Sequence, residues 1–314
     1  MIRYAAERIL LAIPLLFGLS LLVFAYVRVI PGDPVTAMLG VQANPDLVAR
    51  LKAQYGFDQP IVDQYLLWLG NFLKGDFGIS FRSRQPVLPL IIDRIPATFQ
   101  LMFGGLLVAL LVAIPAGISS GMKYRGRTDA AVSTVTLVGL GSPGFFLGTL
   151  LMVVFALVLK WLPSQGYTPF TQDPVKSTQY MLLPSLAVGL VVAPVLIRYI
   201  RATVIEIMKE PFVPYADARG LLEKVIFWRY IIRNVLPSFV VVLGVLVGAL
   251  LAGSVAIEAL FNWPGMGRVF IGAVTERDYA MIQALILVYG IIFVVANLIS
   301  EIAQAWLDPR IRLR

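Results

Sequence analysis

The only side-chain nucleophiles within the long apolar stretches of this sequence are hydroxyls, among them Ser119, Ser120, Ser133 and Ser142, and no lysine or histidine accompanies them there. A serine needs a base to take its proton, so acyl transfer has no obvious means here. The chain contains no histidine and no cysteine, which removes disulfides, thiol catalysis, Cys/His zinc sites and histidine-ligated haem. No Gly-Lys-Ser or Gly-Lys-Thr occurs, so the loop that cradles nucleotide phosphates is missing. The chain is therefore expected not to be an enzyme, not to hydrolyse ATP and to bind no cofactor or metal of its own. The apolar stretches also lack the carboxylates and bases that pumps and proton-coupled transporters place at mid-membrane, and Glu258 and Glu301 stand only at span ends.

Two local patterns remain. Tyr215-Ala216-Asp217-Ala218-Arg219-Gly220 follows Pro211 and Pro214 and precedes Glu223-Lys224; prolines end the incoming helix, and 215–222 is expected to form a short helix of its own. Its composition fits either a basic loop resting on anionic lipid or a helix offered to a partner, with Ala216, Ala218 and Gly220 permitting close approach. The second pattern is Gly139-Leu140-Gly141-Ser142-Pro143-Gly144, together with Gly244, Gly248 and Gly253. Small residues let helices pack closely and slide, and a central proline frees backbone groups that neighbours must satisfy. Ser142, Pro143 and Gly248 are the candidates for lining a moving pathway. No Gly-Tyr-Gly filter or ring of charge speaks for a passive channel.

The elements that must carry these patterns are membrane helices. Of 314 residues, 59% are hydrophobic and 14% charged, and the mean hydropathy is +0.83, far from the soluble average of roughly 25% charged. A net charge of +8 on such a chain speaks of membrane topology and not of nucleic acid. Six runs free of Asp, Glu, Lys and Arg cover 9–27, 95–122, 130–159, 177–197, 234–257 and 279–300, each long enough to cross roughly 30 Å of hydrocarbon. They are apolar on every side, as lipid-embedded helices are. With the N-terminus inside, the interior segments hold 15 of the 26 basic residues against eight of the 18 acids, so both termini are expected in the cytoplasm. The first run is too long for a secretory h-region and is expected to be retained.

The fold expected is all-α and integral to the membrane, with six transmembrane helices. Residues 1–30 supply the cytoplasmic N-terminus and the first span, and 31–94 form an extracytoplasmic cap rich in aromatics (Tyr55, Phe57, Tyr65, Trp68, Phe72, Phe77, Phe81). Residues 95–314 hold the remaining spans, with the cytoplasmic loop 198–236 between the fourth and fifth. Within the cap, Asn44-Pro45-Asp46 starts one helix and Gln59-Pro60 begins another that stops at Gly75-Asp76.

Several ordered strings make the chain resemble the B-type permease subunits of bacterial ABC importers of the dipeptide, oligopeptide and nickel family over nearly its whole length. They are Pro31-Gly32-Asp33-Pro34, Gly56-Phe57-Asp58-Gln59-Pro60, Gly75-Asp76-Phe77-Gly78-Ile79-Ser80, Arg94-Ile95-Pro96-Ala97-Thr98, Ser142-Pro143-Gly144-Phe145, Phe261-Asn262-Trp263-Pro264-Gly265-Met266-Gly267-Arg268, Arg277-Asp278-Tyr279 and Leu307-Asp308-Pro309-Arg310-Ile311-Arg312. The resemblance implies that 215–220 is an ATPase-coupling segment, with Asp217 and Pro214 standing where members commonly carry a basic residue. It implies a second homologous permease, two ATPase subunits that use ATP and magnesium, and an extracytoplasmic solute-binding protein, all at a bacterial inner membrane. Trp263, Arg268 and Asp278 would then contact the binding protein or hold an external gate, while their alternative role is structural, with Trp263 a member of the interfacial aromatic belt. Dipeptides or oligopeptides are the expected cargo, ahead of glutathione, opines or chelated nickel; a bare cation has no His or Cys to receive it.

Overall fold

The chain was analysed as a computed structural model that describes residues 2–29, 44–54 and 58–307. Pro31-Gly32-Asp33-Pro34, Tyr55, Gly56, Phe57 and the stretch from Asp308 to Arg314 lie outside the described residues. The described chain is helical, with a single antiparallel bridge between Ile79 and Pro86. The helices are α1 (Ile2–Val29), α2 (Pro45–Gln54), α3 (Ile61–Leu73), α4 (Val87–Ile92), α5 (Ile95–Met122), α6 (Arg127–Gly141), α7 (Gly144–Leu151), α8 (Pro174–Lys209), α9 (Phe212–Ala218), α10 (Glu223–Val225), α11 (Arg233–Leu260), α12 (Met266–Glu276) and α13 (Tyr279–Leu307). Wider π-type turns extend α7 through Met152–Val158 and join α10 to α11 through Ile226–Ile232.

Among the described residues, five helical stretches are long and apolar enough to cross a membrane. The third uncharged run is the exception: it is not one straight helix, because α6 and the α7 stretch meet at 102° across Ser142-Pro143. Proline has no amide to continue the helical ladder, and Ser142 takes extended dihedrals (φ −91°, ψ 121°). The Ser142 hydroxyl donates to the Val138 carbonyl at 2.8 Å, covering one of the groups the break exposes. The pair makes a sixth span if its bent halves are taken together.

The fourth span also differs from its expected end at residue 197. Asp173 caps α8 by accepting from the amides of Val175 and Lys176 at 3.1 and 3.0 Å, Pro174 occupies the first turn, and the helix then runs 36 residues to Lys209.

The most extensive packing lies between α5 and α8. A Cβ at Gly104 would strike Ser185, one at Gly105 would strike Val188, and ones at Gly117 and Gly121 would strike Ile200 and Val204 at 2.8 Å. The partners advance together along both helices, so α5 and α8 run parallel. On the other side Gly244 faces Ser300 and Gly248 faces Phe293, while Arg8 pairs with Glu301 and Gly290 faces Leu19; in each pair one number rises as the other falls, which sets α13 antiparallel to both α11 and α1. Without a hydrophobic drive inside lipid, such backbone-close contacts and interhelical hydrogen bonds do the holding.

One ion pair clasps the end of α5, the start of α6 and the C-terminal part of α8. Arg201 donates from Nε and an Nη to the two oxygens of Asp129 at 2.6 and 2.9 Å, and Ser120 Oγ, the Arg125 amide and Ser133 Oγ also donate to the carboxylate at 2.6, 2.9 and 3.4 Å. The two-pronged geometry fixes direction as well as distance.

The cap is less separate from the membrane than its polarity implied. Tyr65 of α3 is buried and its hydroxyl meets Ser20 of α1 at 2.7 Å, with Phe17 and Phe24 edge-on to its ring. Val62, Leu66, Leu67 and Leu73 leave apolar surface exposed on α3, as a helix lying in the interface does.

Replacing Gly117 or Gly121 with leucine is expected to lower stability by about 1–3 kcal/mol or more through overpacking, whereas Gly253→Ala, where nothing stands within 4 Å, leaves it unchanged or better. Thermal unfolding in detergent followed by tryptophan fluorescence distinguishes the two classes.

Candidate functional site

Three groups of residues sit where the chain can act: a short helix at the end of α8, the elbow between α6 and α7, and a hydrogen-bonded cluster at the far end of α11.

The short helix is α9. It starts at Phe212, three residues before the expected Tyr215, because Pro211 and Pro214 fall at its cap and in its first turn, where a missing amide costs nothing. Residues three apart share one face of such a helix. Val213 and Ala216 are buried, and Phe212 stacks on Tyr230 at 6.2 Å between ring centres. Ala216 is thus a packing residue and not part of an approachable face. Pro214, Tyr215, Asp217, Ala218, Arg219 and Gly220 are exposed, the Arg219 guanidinium lies 5.5 Å from the Tyr215 ring, and Leu222 projects with 74% of its surface free. Gly220 holds φ +71° with open space around it. Its glycine serves the left-handed turn that ends the helix, with its amide donating to the Asp217 carbonyl at 2.8 Å.

At the elbow, Pro143 is exposed and Ser142 half-buried. The segment is held from behind: a Cβ at Gly139 would strike Pro194 of α8, one at Gly144 would meet Val191, and one at Gly148 would strike Leu260 and Ile257 of α11. Gly248 does not join Ser142 and Pro143 along a pathway. The space where its Cβ would stand is filled by the Phe293 ring of α13, so it is a contact between two helices.

The outer cluster is built on Glu258, which is fully buried. Glu258 Oε1 accepts from Thr98 Oγ1 at 2.9 Å and Oε2 from the Arg268 amide at 3.1 Å. Thr98 in turn accepts from the Met266 amide at 2.8 Å, and a Cβ at Gly265 or Gly267 would intrude on the carboxylate. One carboxylate thereby ties α11 to α5 and to the first turn of α12, whose free amides suit an anion. Trp263 belongs to the same lock. It is wholly buried, its Nε1 donates to the Ala97 carbonyl at 2.8 Å, and Tyr167 packs edge-on against it at 4.8 Å. It has no surface to offer a docking protein and does not sit in an aromatic belt. Burial raises the Tyr167 phenol above its ordinary pKa.

Asp278 is likewise buried and turned inward, accepting from Ser80 Oγ of the cap and from the Met281 amide at 3.3 Å. Arg268 alone of the three expected outer contacts is exposed. Glu258 escaped the sequence reading because its partners lie far away along the chain; the signal for it was two glycines, Gly265 and Gly267, seven and nine positions after an isolated acid at the end of an apolar run. Among the described residues no group of three or more acids marks a metal site.

Comparison with known proteins adds the following. Residues 113–313 match the family described as binding-protein-dependent transport system inner membrane component, and residues 1–102 match the N-terminal membrane component of the same systems. The chain is 35% identical over 314 residues, the full length of both proteins, to the glutathione transport system permease protein GsiC of Escherichia coli strain K12. Its likeness to GsiC of Shigella dysenteriae serotype 1 has the same identity and coverage.

Glu258→Ala is expected to destabilise the protein by about 2–3 kcal/mol, since it strands buried donors. Glu258→Gln, which keeps one acceptor oxygen, loses less. Denaturation midpoints of the purified protein in detergent check the order.

Proposed function

Because the chain belongs to the family of binding-protein-dependent transport system inner membrane components, the permease subunits of ABC importers, we propose that it forms half of an inward pathway for small peptides and is driven through α9 by a separate ATPase. The chain is a multi-pass membrane protein with a transport role and not an enzymatic one. The observation that carries the coupling assignment is the exposed face of α9 and its exit, Tyr215, Asp217, Ala218, Arg219 and Leu222, standing between two long helices. Whatever grips that face pulls on α8 and α11 together, and packed helices pass the motion on as a rigid-body shift.

In this reading each of two permeases meets one ATPase subunit, and ATP with magnesium acts in those subunits. Both termini and α9 lie in the cytoplasm, in keeping with the excess of Lys and Arg on that side. Trp228 near α9 and Trp306 at the end of α13 are exposed, as is Trp161 beyond α7, which fits tryptophans at the two faces of a bilayer. Arg268 and the surface around it receive the solute-binding protein, while Ser142 and Pro143 line the moving elbow. The cargo is a peptide with a free carboxylate, glutathione among them, the compound in the name of the 35%-identical relatives. An absence of His and Cys speaks against bare nickel.

The test is co-purification of the tagged protein in mild detergent from its native cells. Wild type is expected to bring a second permease and ATPase subunits, and Leu222→Asp or Gly220→Val is expected to cut the recovered ATPase about tenfold or more by placing charge or strain at the contact. A chain that purifies alone and conducts solute in liposomes overturns the reading in favour of a passive channel.

A further inference from the structure

On the outer face, a cavity of about 340 Å³ opens between the turn at the end of the cap, the entry to α5 and the α12 hairpin; Ser80, Arg82, Ser83, Arg94, Arg268 and Asp278 are among its lining residues. Three guanidinium groups border one small space, and their states differ. Arg82 is taken by Glu276 at 3.0 Å. Arg94 and Arg268 have no side-chain hydrogen bond or ion pair among the described residues.

The nearby carboxylates are already engaged. Asp278 accepts from Ser80 and Met281, and Glu258 accepts from Thr98 and the Arg268 amide behind the α12 backbone. The cavity therefore offers two unpaired planar cations, Arg94 and Arg268, against one carboxylate, Asp278, whose oxygens are occupied by neutral donors. Guanidinium forks match a carboxylate through paired N–H donors, in a way that a lysine's point charge does not. The volume falls at the low end of small-ligand pockets, roughly 300–1,000 Å³. Leu90, Val269 and Met281 add apolar wall on the same space, which suits a molecule carrying both a carboxylate and a side chain.

We infer that this cavity is an outward subsite that holds the carboxylate of a dipeptide-sized solute between Arg94 and Arg268. The inference rests on the import reading above, for it places the subsite where a released solute would meet the permease first. Arg268 would then touch the cargo itself and not only the protein that delivers it. Each arginine's fork finds two charged acceptor oxygens on the ionised acid, whereas the amide offers one neutral oxygen and turns an NH2 donor toward the guanidinium, so an amide of the same peptide is discriminated against.

The experiment uses the full chain purified into lipid nanodiscs, with Ala-Phe and its C-terminal amide as probes in saturation-transfer NMR. The acid is expected to give a titratable signal and the amide little. Arg94→Gln and Arg268→Gln should each weaken the acid by about tenfold, the loss of one charge-assisted contact, while Arg94→Lys, which keeps the charge without the fork, falls between. Retained folding is read from the fluorescence melting curve of the same samples. Equal signals from acid and amide, undiminished binding in the double Arg94→Gln/Arg268→Gln variant, or no binding of the acid to wild type overturns the subsite; the last result would leave the arginines to an acidic side chain of the docking protein. Import of the same peptides by intact cells is measured alongside. Binding without import overturns the import reading and leaves the subsite standing, and import that ignores the carboxylate does the reverse.

Discussion

Glycine-limited approach between α5 and α8 is the constraint on which the remaining helices depend. Gly104, Gly105, Gly117 and Gly121 give up side chains so that Ser185, Val188, Ile200 and Val204 can enter their space, and dispersion between close backbones replaces the solvent-driven attraction that lipid does not provide. A parallel pair cannot be joined by a short turn, so the chain between them must cross the membrane once more, back to the side where α5 begins. The elbow of α6 and α7 is how it does so, and the Asp129–Arg201 clasp fixes the inner ends of all three helices once they are in register. The cost of bringing that ion pair out of water is offset by three further donors to the carboxylate, Ser120 Oγ, Ser133 Oγ and the Arg125 amide, the condition under which such pairs hold.

At the opposite end the same problem is solved by a different chemistry. A lone carboxylate with no cation against it, Glu258, is satisfied by a hydroxyl and by backbone amides, and glycines at 265 and 267 admit it to the backbone. Trp263 seals the cluster by donating to Ala97 at the start of α5. The inner clasp and the outer lock thus share α5, and through it the segment after α8 is in mechanical contact with the hairpin that borders the arginine cavity.

What could be read from the sequence was whatever depends on neighbours along the chain. Apolar runs gave the spans, Gln59-Pro60 gave the start of the helix Ile61–Leu73, and Ser142-Pro143 between glycines gave an interruption, although not its 102° angle. What could not be read depends on distant partners. An aromatic near a span end, such as Trp263, has the same local sequence whether it faces headgroups or fills a core; only Ala97, 166 positions away, decides. A glycine such as Gly248 reports closeness without saying to what. Ala216 was misassigned because its small size was taken for approachability: it stands three residues after Val213, on the one face of α9 that packs inward, and the contact that chooses that face, Phe212 on Tyr230, lies 18 positions apart.

The length of α8 carries a further consequence. Thirty-six residues at 1.5 Å each make a rod of about 54 Å, longer than the roughly 30 Å of hydrocarbon it crosses. Pivoting by about 5° around its middle, where the glycine-lined contact with α5 holds it, would swing each tip by about 2 Å, close to the width of a hydrogen bond. Such a beam has gearing: a push too small to unseat any packed residue near the fulcrum is enough at the ends to make or break polar contacts. Proline at 184 and 194 sets the limit on this leverage, since every degree absorbed by a kink is a degree the far tip does not receive.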